Sequence, residues 1–133
     1  MSRHAARRAA MQLVYEMLLG GGGDETLNDL IEYPPDDPDA PYAEALAHGV
    51  RARLPQLDQV LSSRSESRAL ERIPAVVRAI LYVALEELDA QPDVPDSVVI
   101  NEAVQLAHQY AEEIDAKFVN GVLGSHLRET KRT

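Results

Sequence analysis

Two small groups of side chains could do chemistry, and in both the chemistry is binding. Near the amino terminus Arg3, Arg7, Arg8, Gln12 and Tyr15 fall within one potential helix. Arginine offers a planar fork of donors that fits phosphate, and tyrosine can stack on an unpaired base. A solvated helix end would carry the same residues with no ligand at all. Far along the chain, Lys117, Phe118 and Asn120 put a cation, the only phenylalanine and an amide on a single turn. Phe118 reads either as a core anchor or as a stacking ring. Asn120 could contact a base edge or cap a neighbouring loop. A single RNA strand is the ligand these residue types would suit.

Catalytic groupings are missing from the sequence. His4, His48, His108 and His126 stand apart, and none lies in an HExxH pattern. No serine sits in GxSxG. The Gly20–Gly23 run lacks the preceding strand and following Lys-Ser/Thr of a phosphate loop, so it reads as a helix stop. There is no cysteine, which removes disulfide, zinc-thiolate and thiol-nucleophile chemistry. The acids between Asp24 and Glu44 lack EF-hand spacing. The expectation is a protein that is not an enzyme and carries no metal or cofactor.

The elements that must position these groups are helices. Apolar residues recur at helical spacing over 4–19, with Ala6, Ala10, Leu13, Val14 and Met17 as the stripe. A short helix is predicted at about 25–33, stopped by Pro34-Pro35, and another over 40–54. Pro55 re-aims the chain into a piece ending near Leu61, and SSRSES at 62–67 reads as a linker. The strongest pattern, 72–90, runs through Ile73, Val77, Ile80, Leu81, Ala84 and Leu88, with Arg78, Tyr82 and Glu86 along its polar side. Asp93 or Asp96 starts a helix with Ile100, Ala103, Val104, Ala107 and Ala111 inward. The last helix, about 115–129, buries Val119, Val122, Leu123 and Leu127. Nothing alternates like a strand, so the fold class is all-α with about seven helices. Asn101, Asn120, Gly121 and Gly124 sit mid-helix against their propensity, which implies close approach of a neighbour or a ligand.

The 133 residues are the size of one domain, and 45% are apolar. With no Trp and one Phe, the core must be aliphatic. The net charge of −9 argues against nucleic acid, but its distribution does not. Met1 to Tyr15 carries three arginines and no acid, whereas Asp24 to Glu44 carries eight acids and no base. The longest apolar run, Ala79 to Leu85, is far short of the roughly 20 residues that span a bilayer. No secretory signal is visible, and a cytoplasmic protein is expected.

These residues carry a resemblance. The first-helix Arg7, Gln12 and Tyr15, RAILYVALEEL at 78–88, DVP at 93–95, INEAVQLA at 100–107 and KFVNGVL at 117–123 are together similar to the NusB family of bacterial transcription antitermination factors. The resemblance covers essentially the whole chain, most loosely over 20–41. It implies one domain of two packed helical bundles, here roughly 1–63 and 64–133. It also implies pairing with the ribosomal protein NusE and binding of the boxA element of nascent RNA. That assembly works within an elongation complex of RNA polymerase and other Nus factors, chiefly on ribosomal RNA operons.

The resemblance implies RNA contacts at Arg3, Arg7, Arg8, Gln12, Tyr15, Lys117, Phe118 and Asn120. It places the NusE-facing surface around the central helix, at Val77, Arg78, Leu81, Tyr82 and Ile114. Asn101 and the two glycines are then expected to serve helix packing or hydrogen bonding within the fold. Val77, Tyr82, Glu86 and Ile114 depart from the family's usual residues, mostly on the expected partner side. Some members self-associate through the RNA surface, so a homodimer is a further expectation. The alternative is a divergent family-like module that binds protein, or targets RNA as the N-terminal domain of some RNA methyltransferases does, without boxA recognition. Arg7 and Tyr15 are expected to be removable with little loss of stability.

Overall fold

Six α-helices and one 3-10 turn carry residues 2–20 and 36–130, those described by the computed structural model, and no strand occurs among them. The helices are α1 (Arg3–Leu18), α2 (Ala40–Ala52), α3 (Leu54–Arg64), α4 (Ala75–Ala90), α5 (Asp96–Tyr110) and α6 (Glu113–Thr130), with the 3-10 turn at Leu70–Arg72. The helix expected at about 25–33 lies outside the described residues. No helix among the described residues is long and apolar enough to cross a membrane.

Local chemistry sets the helix ends. The Ser2 hydroxyl accepts from the Ala5 N–H at 3.0 Å and starts α1. Gly20, at φ +89°, stops it in the left-handed region that a side chain disfavours. Pro41 and Pro55 lie in the first turns of α2 and α3, where a missing N–H costs no hydrogen bond. Pro74 and Pro95 immediately precede α4 and α5. The serine run is not all linker: α3 continues to Arg64 and Ser65 is buried.

Helix α4 is the axis of the fold and packs against each of the other helices. Every residue from Ala79 to Glu87 is buried. A helix enclosed on all sides has no polar face, which corrects the amphipathic reading. Tyr82 and Glu86, assigned to a solvated side, are inside. Val77, Leu81 and Tyr82 are each 0% exposed, so these three expected NusE contacts are core residues. Val77, Tyr82 and Glu86, expected to depart from the resembled family's pattern on the partner side, thus lie in the interior.

Polar atoms in such a core need partners. The Tyr82 hydroxyl donates to Asp58 of α3 and accepts from Arg78 Nε and Nη2 at 3.1 and 2.9 Å. Burial first, then the Asp58 hydrogen bond, push its pKa up to about 12, against the pull of Arg78. Glu86 accepts from Arg53 at 2.6 Å. It lies so close to α2 that a Cβ on Gly49 would stand 2.2 Å from its Oε2. A side chain at position 49 would thus force Glu86 to shift from its place beside Arg53.

The other helices present the stripes periodicity implies, with offsets of about one residue. In α5 the fully buried residues are Val99, Ala103, Leu106 and Ala107, while Ile100, Val104 and Ala111 pack at the margin. In α6 they include Ala116, Val119, Val122 and Leu123, with Leu127 only half-buried. Asn101 and Gly121 are exposed. A Cβ on Gly121 would meet nothing within 4 Å, and one on Gly124 only the tip of Arg128 at 3.3 Å. The expectation that these glycines serve helix packing fails.

Two stability effects follow. Gly121→Ala should raise stability by about 1 kcal/mol, because helix propensity improves with no clash; an unchanged or lower urea midpoint would contradict it. His126, buried on α6, has its pKa held below the ordinary 6.5 by burial first and by Arg64 second, with Asp89 opposing. The folded protein then binds fewer protons than the unfolded chain just below pH 6.5, so stability should fall as pH drops through that value. Urea midpoints at about pH 7.5 and about pH 5.5 should differ less in His126→Gln than in the parent.

Candidate nucleic-acid interface

The amino-terminal group is organised by one buried charge. Arg7 is 6% exposed, and its Nε donates to both oxygens of Glu87 at 2.9 Å. Its Nη2 stands 2.8 Å from Glu87 Oε2, and Glu87 is itself 1% exposed. The Tyr42 hydroxyl of α2 donates to the same carboxylate. Glu102 of α5 lies 3.9 Å from Arg7 Nη1 and 2.5 Å from His4 Nδ1. Burial would lower the Arg7 pKa; the hydrogen bond and charge of Glu87 more than offset that and raise it. Tyr42 is pushed up to about 12, by burial first and by Glu87 second.

Arg7 therefore does not stand on a ligand-facing surface. Its Nε and Nη2 are engaged by Glu87, and this burial conflicts with the expectation that Arg7 can be removed with little loss of stability. What it does is fix the roll of α1. At about 100° per residue, an inward Arg7 turns Gln12 to the outside and brings Arg8 and Tyr15 to the border. Gln12 is exposed, and Arg8 and Tyr15 are half-buried. Arg3 lies beyond the core at the helix end, with half of its side chain exposed. Its guanidinium is 3.7 Å from the Tyr42 ring centroid and its Nε 3.4 Å from Asp39.

The second group stands at the α5–α6 corner. Lys117 and Asn120 are exposed. Ile114 is 62% exposed and lies one turn before Lys117 and Phe118, so it shares their face and stands apart from Val77, Leu81 and Tyr82. Phe118 is half-buried against the core, and Arg68 lies over its ring at 4.4 Å. Arg68 Nη1 also donates to Asp115 at 3.0 Å, while the other Asp115 oxygen accepts from the Glu112 N–H at 3.0 Å and starts α6. Of the expected partner residues, Arg78 keeps a partly exposed side chain and Ile114 is open.

Helix α5 touches both α1 and α6 and so spaces the two groups. Each offers fixed donors beside an aromatic ring, a combination that suits a polyanion with unpaired bases. Among the described residues no group of three or more His, Cys, Asp or Glu could hold a metal. Sequence reasoning missed Tyr42, Glu87, Arg68 and Asp115. Glu87 had a signal, as the second of two acids that follow the longest apolar run. Arg68, in a serine-rich stretch, had none.

Comparisons with known proteins agree on one family. The NusB family model matches residues 4–128. The chain is 36% identical over 126 residues to a transcription antitermination protein NusB of Bacillus subtilis (strain 168), with 94% of each chain covered. It is similar to the structure of T. maritima NusB, with a TM-score of 0.87 and 27% identity over 97% of this chain and 92% of that one. It is also similar to a structure of the antitermination factors NusB and NusE in complex with dsRNA, with a TM-score of 0.80 and 25% identity over 97% and 99% of the two chains.

The buried pair makes a sharp expectation. Arg7→Ala should cost about 3–5 kcal/mol, because Glu87 loses its cation in the core and keeps only the Tyr42 hydrogen bond. Replacing both, Arg7→Met with Glu87→Leu, should cost less than the single change. Urea unfolding of the three proteins decides it; a near-neutral Arg7→Ala would remove the pair from its organising role.

Proposed function

The chain belongs to the NusB family, and from that membership we propose that it is a transcription antitermination factor that binds boxA-type single-stranded RNA together with NusE. In this reading it supports processive transcription of ribosomal RNA operons, in the cytoplasm and without catalysis. The observation that carries the proposal is similarity over nearly the full length to an antitermination protein NusB. The likeness to a complex of NusB and NusE with dsRNA supports NusE and an RNA as partners.

The exposed chemistry is consistent with it. Arg3, Arg8 and Lys117 supply cations, Gln12 and Asn120 supply amides, and Tyr15 a ring, all at least partly open to solvent. Single-stranded RNA offers its base edges and faces to such groups, which a duplex conceals. Arg7 supports this surface from behind. The proposed bundles, 1–63 and 64–133, would be joined through α4.

The net charge of −9 opposes RNA, so the chain alone should bind weakly and NusE should tighten the complex. With NusE present, Arg3→Ala and Lys117→Ala should each reduce the slope of log affinity against log salt by about one. Tyr15→Ala should weaken binding with the slope retained. The measurement is an RNA titration over a salt series with boxA-type, scrambled and duplex competitors. Equal affinity for all three RNAs would exclude selective boxA recognition, and no binding with NusE present would leave a protein-interaction module.

A further inference from the structure

We propose that Arg68 is itself a base-stacking residue of the RNA surface, the outer face of its guanidinium serving where the Phe118 ring is already covered. The inference rests on the RNA-binding reading above. Phe118 packs against the core, and the Arg68 guanidinium lies 4.4 Å from its ring centroid. A base that stacked directly on Phe118 would have to displace that arginine. Displacement is opposed, because Arg68 Nη1 holds Asp115 at 3.0 Å and Asp115 is 7% exposed. Asp115 also starts α6 through the Glu112 N–H, so freeing Arg68 would strand a buried carboxylate at the foot of the binding helix.

With Arg68 in place, the stack ends in a planar cation. The Arg68 side chain keeps 21% of its surface open, and exposed Lys117 and Asn120 lie on the same helix as the ring beneath it. Guanidinium planes accept unpaired bases as aromatic rings do. Lysine keeps the charge that Asp115 needs but has no plane to present.

The test is Arg68→Lys, read in the NusE-containing RNA titration and in thermal melting, beside Phe118→Leu and the parent. The expected result is a melting temperature near the parent's, an unchanged salt slope, and RNA affinity reduced at least about five-fold, the lower end for one lost stacked base. Affinity equal to the parent's in Arg68→Lys, with a loss in Phe118→Leu, would show that the base reaches the phenylalanine, and the inference falls. Tighter binding by Arg68→Lys would make the arginine an obstructing cover, which also overturns it. No selective RNA binding by the parent would bring down the RNA reading, and this inference with it.

Discussion

The hydrogen-bonded ion pair between Arg7 and Glu87 is the constraint on which the rest of the structure depends. Two charges taken out of water are tolerable only when each finds the other with good geometry and the remaining polar atoms are met. Here a guanidinium fork meets one carboxylate, Tyr42 donates to the same group, and Glu102 faces the far side. The cluster joins α1, α2, α4 and α5 at one point. A helix seated by such a cluster cannot roll without unpairing a charge. Gln12 is thereby held outside, and Arg3 is left at the helix end against Tyr42.

The same logic runs along α4. Because that helix is enclosed by all the others, its polar side chains had to be paired from neighbouring elements. Glu87 is met from α1 and α2. Glu86 is met by Arg53 at the start of α3, close against Gly49, and Tyr82 by Asp58. Tyr82 and Glu86 thus sit inside this pairing scheme and Val77 in the apolar core, whereas Ile114 is exposed. Surface and interior are coupled through it, since the residues that decide where arginines point are themselves hidden.

Both candidate binding groups repeat one device, an arginine laid over an aromatic ring and tied to an aspartate. Arg3 lies over Tyr42 beside Asp39, and Arg68 over Phe118 beside Asp115. The rings are thereby partly shielded, and the cations are held in place on an otherwise acidic chain. Preorganised cations lose less side-chain freedom when they meet a polyanion. The exposed Gly121 on α6 carries a local cost that no contact among the described residues explains.

The sequence by itself determined that the chain is helical, where the prolines open α2 to α5, and which residue types could hold RNA. Those are local properties, read from a period of 3.6 and from side-chain chemistry. Only the tertiary structure decided that Arg7 is a buried strut, that Tyr82 and Glu86 face inward, and that Arg68 belongs beside Phe118. Periodicity marks an apolar stripe but cannot say whether the opposite side meets water or another helix. Charge pairs across 80 residues, as between Arg7 and Glu87, or 47, as between Arg68 and Asp115, leave no local pattern to read. They exist because burial forbids an unpaired charge, and burial is a property of the packed chain.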